Sequence, residues 1–339
     1  MKSSLLPLPI TTYAPRHYFC KRTSMPLDID GNLDKPFWHN APFTDDFVDI
    51  EGDCRPIPQK RTRVKMLWDD QFLYIGAYME ENQIFATLTE RDSVIFQDND
   101  FEVFIDPDGD THAYYELEIN ALNTVWDLLL IKPYRDGGPP VNGWDIRGLK
   151  TAVHLNGKLN DPQAENRGWS VEIALPFASL RECDRNHSNP RPGDIWRINF
   201  SRVNWQLEST ESGYQKKIDP STNQPFPEDN YVWSPMGIIN MHYPELWGYL
   251  IYVDSFTPSN FSLSIDEKVK WELRKWYYAL RNFYAIHGYY FSHPSSYAKQ
   301  THSEIEPRIE ITTKTFLLSY PISNHYMIYL NEEGRVWFE

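Results

Sequence analysis

The sequence predicts an all-β chain, an antiparallel β-sandwich followed by a small C-terminal α+β extension. Three observations predict it. Short runs with apolar residues at alternate positions recur along residues 28–253, separated by Gly, Pro, Asn and Asp. One of them, residues 99–127 (NDFEVFIDPDGDTHAYYELEINALNTVWD), reads as a hairpin with one apolar and one acidic face. Beyond residue 254 the apolar period lengthens from two to nearly four, as a helix requires.

The elements follow in order. Residues 1–23 carry prolines and no period, and an irregular arm is expected there. Residues 28–34 (DIDGNLD) read as a strand end running into an Asn/Gly/Asp turn, and residues 35–38 as a short turn or a single helical turn. Residues 63–68 (RVKMLW) and 72–79 (FLYIGAYM) are two strands joined by a hairpin-length connection. After the acidic hairpin, with its turn at 107–110 (PDGD), come a strand near 123–132, a Gly/Pro-rich loop at 136–143 and a run at 148–155. Residues 169–175 (WSVEIAL) alternate until Pro176 ends them, and 195–204 (IWRINFSRVN) form another strand. This spacing of short strands means a sandwich of jelly-roll or immunoglobulin-like kind. Its bounds are set at 24–254.

Residues 255–262 are linker-like. Ser264 and Glu267 then form a capping box, and Val269, Leu273, Trp276, Leu280 and Phe283 recur at helical spacing until Gly288. Strands are expected over 306–338. Residues 255–339 thus form a helix-plus-strand extension, whose aromatic stripe is open to two readings, packing on the sandwich or on its own strands, and a partner-binding helix.

In the hairpin, alternation puts Phe101, Val103, Ile105, Tyr115, Leu117 and Ile119 on one face. The other carries Asp100, Glu102, Glu116, Glu118 and Asn120, with Phe104 as its apolar member. Like charges opposed across a strand pair destabilise a sheet. Cations, arginines or a hydroxyl-rich ligand should therefore satisfy this face, and a sugar would fit.

At 339 residues, 41% of them hydrophobic, the chain can bury a sizeable core. Its formal charge of -14 disfavours nucleic acid and anionic membrane surfaces as partners. The 12 Trp, 21 Tyr and 18 Phe exceed what the strand pattern demands, which leaves some for a binding surface. Cys20, Cys54 and Cys183 form neither a metal-ligand pattern nor a disulfide framework. No apolar run reaches transmembrane length, and prolines break the N-terminal apolar stretch as a signal peptide. Either the protein stays inside the cell or the gene start is misplaced.

Four segments together resemble the family 9 carbohydrate-binding modules, β-sandwiches related to the DOMON group. They are residues 30–34 (DGNLD) with Trp38, 64–78 (VKMLWDDQFLYIGAY), 100–106 (DFEVFID) and 168–176 (GWSVEIALP). The resemblance extends from Pro26 to Val253 and implies a non-catalytic binder of a mono- or oligosaccharide, accessory to polysaccharide breakdown and usually exported. In that family two aromatic rings hold a sugar while carboxylates and amides bond its hydroxyls. The first ring falls on Phe96, the strand glutamate on Glu102, the second ring on Trp233, and amides on Asn120 and Asn230. Glu118 stands where the family has an arginine, and Phe replaces Trp at one ring. Arg202 or Arg197 could supply the missing cation, or merely neutralise the hairpin. Trp144, in the Gly/Pro loop, reads equally as lid and as core.

The resemblance also implies structural calcium (Ca2+). Asp106, Asp108 and Asp110 offer hard oxygens at alternate positions, open to two readings, a calcium site and a plain acidic turn. Against catalysis, the chain lacks a Gly-rich phosphate loop, a nucleophile elbow and a His-Glu-x-x-His pattern. Two rivals stand beside the sugar binder. One is a glycoside hydrolase using a hairpin carboxylate pair. The other is a DOMON-type haem or interaction module, for which Met66 and Met79 are available, though both sit in strand patterns that suit core packing.

Overall fold

The fold is that of a computed structural model, in which residues 5–25, 27–254, 260–290, 297–298, 301–323 and 326–339 are described. Residues 255–259 of the expected linker, the first four residues and Pro26 lie outside these.

The principal strands are β1 (His17–Arg22), β2 (Thr62–Trp68), β3 (Phe72–Glu80), β4 (Asp100–Asp106), β5 (Tyr114–Asn120), β6 (Val125–Leu130), β7 (Lys150–Asn156), β8 (Gly168–Pro176), β9 (Ile195–Asn204), β10 (Asp229–Val232) and β11 (Gly248–Val253). They join one curled sheet, in the order β6-β5-β4-β9-β11-β1-β2-β3-β8-β7, with β10 also paired to β9. The two ends of this path fold over each other as the layers of a sandwich. Between them lie the apolar faces of β4 and β5 (Phe101, Val103, Ile105, Tyr115, Leu117, Ile119) and those of β2, β3 and β8, among them Met66, Ile75 and Ile173. Met66 and Met79 are fully buried in this core, the packing role that their strand patterns suit.

Two features depart from expectation. The arm reaches only to about residue 16, because His17–Arg22 is a strand inside the sheet, parallel to both β11 and β2. Its alternation is short and interrupted by Lys21, too little to declare a strand from sequence. Residues 28–34 form the expected turn but no strand end.

That turn is anchored through Glu172 on β8. Its carboxylate accepts from the Trp38 indole at 2.7 Å and, at 2.9 Å each, from the amides of Asp30 and Gly31 and from Lys35 Nζ. Two separated sequence motifs are thus one buried polar network. Gly31 is required here: φ is +84°, and a Cβ would come within 2.5 Å of the His154 amide nitrogen.

The extension consists of helix α1 (Ile265–His287) and the strands Arg308–Ile311, Phe316–Ser323, Tyr326–Asn331 and Val336–Phe338, paired in that order. Ser264 Oγ accepts from the Glu267 amide at 3.2 Å and Gly288, at φ +77°, ends the helix, as the sequence predicts. The Glu267 carboxylate does not return to the cap. It turns to Arg197 on β9, 3.0 Å away, and to Lys270 at 2.8 Å. Burial opposes its charge, but Lys270 and Arg197 hold its pKa down at about 2. Leu273 and Trp276 share a second core with Phe104, Tyr114 and Trp247, so the extension packs against the outer face of the β4–β5 layer. It covers one end of the acidic face and leaves the other open.

Candidate functional site

Register builds the open end. Glu102 on β4 stands directly opposite Glu118 on β5, and Phe104 opposite Glu116. Glu118 in turn pairs with Trp126 on β6, and Glu102 with Ser201 on β9. Because side chains alternate across a strand, these residues share one floor. Above it is a cleft of about 420 Å³, walled by Phe96, Trp126 and Tyr134 and by Asn230, Asn240 and His242. Its size suits a small-molecule site, for which about 300–1,000 Å³ is usual.

The carboxylates of the floor are buried, Glu102 at 5% exposure and Glu118 at 1%. Burial pushes Glu102 up to about 7, with the charge of Glu228 adding to it. Burial and the charge of Glu102 push Asp100, Glu116 and Glu118 well above the usual carboxylate range. One oxygen each of Asp100, Glu102 and Glu118 lie within 4.8 Å of one another. Asp100 Oδ2 is buried without a hydrogen-bond partner. So is the indole N–H of Trp126, a donor in the cleft wall.

Phe96 is held from both sides of its peptide unit. Its amide donates to Glu118 Oε2 at 2.9 Å, and its carbonyl accepts from Trp205 Nε1 at 2.8 Å. The opposite wall is tied to His242, whose ring meets Tyr134 edge-on at 4.5 Å and whose Nδ1 is 2.9 Å from the Tyr114 hydroxyl. Burial, then the charge of Arg135, lowers His242 to about 3, so the imidazole is neutral.

Of the residues expected from sequence, the cleft brings together Phe96, Glu102, Glu118 and Asn230. The others are placed elsewhere. Trp233 is a core residue, 1% exposed, with its ring against Phe200 and packed so closely on Gly248 that a Cβ there would come within 2.4 Å. Asn120 is fully buried and committed to structure: Nδ2 donates to the Leu88 carbonyl and to Asp98, and Oδ1 accepts from the amides of Leu122 and Thr124. Arg202 points to the other side of β9 and pairs with Glu81 at 2.7 Å. Arg197, on the correct face, is spent on Glu267, the Tyr13 hydroxyl and the Trp247 carbonyl. Trp144 lies on the opposite face of the hairpin, stacked on Tyr115 at 4.8 Å. Sequence reasoning missed Trp126 and Tyr134 as walls. The pairing of Trp126 with Glu118 was the available signal, since a tight turn after Asn120 sets that register.

Asp106, Asp108 and Asp110 also cluster, with one oxygen each inside a 4.8 Å limit. Asp106 accepts from the amides of Gly109 and Thr111, and Asp110 from the amide of His112. Burial raises all three, Asp108 to about 6. The donor set of hard carboxylate oxygens fits calcium. The extension also reaches the loop: Arg335 Nε lies 2.9 Å from Asp110, and Lys270 Nζ donates to the Gly109 carbonyl at 3.3 Å.

Residues 29–190 match the model of the carbohydrate family 9 binding domain-like family. An endo-1,4-beta-xylanase A of Thermoanaerobacterium saccharolyticum is 24% identical over 196 residues, 58% of this chain and 14% of the relative. Exoglucanase XynX of Acetivibrio thermocellus is 25% identical over 157 residues, 42% of this chain and 12% of the relative. The chain thus spans a small part of the length of either. Among solved structures, a Bacteroides uniformis protein provisionally named for carbohydrate binding matches in fold with a TM-score of 0.51 at 15% identity, over 70% of this chain and 100% of its own. Residues 29–190, which carry the Glu172-anchored turn, the acidic hairpin and the three aromatic walls of the cleft, are the part of the chain that is similar to the carbohydrate family 9 binding domain-like family.

Proposed function

We propose that the chain binds a mono- or oligosaccharide, without catalysis, in the cleft over β4, β5 and β6. The observation that carries this reading is the convergence of three aromatic side chains, Phe96, Trp126 and Tyr134, over carboxylates and an asparagine in one hollow. A pyranose presents apolar C–H faces that stack on aromatic planes and a hydroxyl rim that needs charged or amide partners. The walls and floor supply one of each. The likeness to segments of a xylanase and an exoglucanase supports a role in polysaccharide use. A structural calcium held by Asp106, Asp108 and Asp110 belongs to the same proposal, as a brace for the hairpin turn.

The test is a glycan array followed by calorimetry on the oligosaccharides retained, with wild type and Phe96→Ala. Retention by wild type and at least about a tenfold weaker affinity for the variant is the expected result. Equal affinity of the two would remove the cleft as the site.

A further inference from the structure

We propose that the cleft selects a sugar bearing a free ammonium group, a hexosamine unit, over its neutral and N-acylated counterparts. This rests on the sugar-binding reading and deepens it to a ligand class. Among the described residues, three acidic groups bring carboxylate oxygens within 4.8 Å of one another. Two of them are met by a cation of the chain: Arg91 contacts Asp127 and, at 2.9 Å, Asp145, and Arg335 contacts Asp110. The third, Asp100, Glu102 and Glu118, forms no ion pair with any Lys, Arg or His of the described residues, and neither does Glu116 beside it. The arginines on the neighbouring strand are engaged elsewhere, Arg202 with Glu81 and Arg197 with Glu267. Buried carboxylates without a counter-charge are costly. Glu102, Glu116 and Glu118 line an open cleft, with Asp100 buried behind them, so a ligand cation can reach the floor and draw its raised carboxyls back into the charged form.

A bare metal ion would satisfy the carboxylates but not the rest of the site. The cleft is walled by Phe96, Trp126 and Tyr134, whose ring faces attract an organic cation and stack on a sugar ring. The buried, unpartnered N–H of Trp126 is a donor, useless to a metal cation and suited to a hydroxyl oxygen. An ammonium on a pyranose meets all three requirements at once: charge for the floor, an apolar face for the walls and an acceptor for the indole.

Three trisaccharides of β-1,4-linked units that differ at C2 alone test this: the glucosamine trimer, its N-acetylated form and cellotriose. Each is titrated into the wild-type chain at neutral pH with a chelator present, and cellotriose again with calcium in excess of the chelator. The expected result is binding of the glucosamine trimer at least about tenfold tighter than of the other two. Cellotriose binding as tightly or tighter in chelator overturns the inference and leaves the sugar-binding reading standing. Cellotriose gaining affinity to match the amine only when calcium is added overturns it in favour of a metal in the cleft. Failure of all three to bind under either condition removes both the inference and the reading beneath it.

Discussion

Glu118 Oε2 accepts a hydrogen bond from the amide of Phe96 at 2.9 Å, so one carboxylate of the acidic strand face fixes the segment that carries a wall ring of the cleft. Its role is therefore double, positioning the wall and offering an ionisable carboxyl to the cleft. The two are separable by substitution. Glu118→Gln keeps an acceptor and removes the ionisable carboxyl, whereas Glu118→Ala also leaves a backbone N–H unpaired, at about 1–3 kcal/mol. A neutral oligosaccharide should bind the Gln variant about as well as wild type and the Ala variant roughly tenfold more weakly, measured by calorimetry. Equal losses in both would mean that the ionisable carboxyl, not positioning, governs.

Trp233 belongs to the core, and its loss should appear as stability. Trp233→Ala removes a ring packed on Phe200 and Gly248, for which about 3–5 kcal/mol is the usual cost of truncating a buried Trp. Urea unfolding should show that loss. Below the transition the variant should bind the wild-type ligand at nearly wild-type affinity. Unchanged stability with abolished binding would restore Trp233 to the site.

The pH dependence of stability has a defined sign. The Glu102 carboxyl is raised from 4.5 to about 7 in the fold, so the native state holds a proton that the unfolded chain has released. Stability from this group is complete below about 4.5 and is lost as pH rises through about 7, on the order of 3 kcal/mol in all. His112 and His242, each lowered to about 3, act with the opposite sign between about 3 and 6.5. The difference between wild type and Glu102→Gln isolates the carboxyl. Thermal melts should show the wild type losing stability relative to the variant from about pH 5 to 7, and a flat difference would remove the buried, proton-holding Glu102.

Calcium at the hairpin turn has its own readout. Saturating calcium at about a hundred times its Kd should stabilise the chain by about 2.7 kcal/mol, reversed by chelator and abolished by Asp108→Asn. Thermal melts indifferent to both calcium and chelator would leave the loop to Arg335 and Lys270, which already face it.

Much of this was legible in the sequence. Strict alternation in residues 100–106 and 114–120 gives the two faces and the register of the floor, because both strands are buried on both sides and a one-residue slip would exchange them. Ser264 and Gly288 bound the helix by capping chemistry alone. The second ring was not legible. Trp233 follows Asn230 at the right spacing, but adjacent strand positions face opposite ways, and the pairing of Ser201 with Val232 places the chain so that Trp233 enters the core. Tyr134 comes from a loop, where no period indicates direction. Arg197 was a candidate by face and charge, and Arg202 by charge alone, since alternation sets it on the other face. Their partners, Glu267 and Glu81, are remote in sequence and become visible only when the extension and β3 are in place.

The central claim is that sugar occupies the Trp126 side of the hairpin and not the Trp144 side. Calorimetric titration of the best-retained oligosaccharide into Trp126→Ala and Trp144→Ala tests it most directly. The account predicts at least about a tenfold loss for Trp126→Ala and an affinity within about twofold of wild type for Trp144→Ala. The reverse pattern, with Trp144→Ala abolishing binding and Trp126→Ala retaining it, would contradict the account.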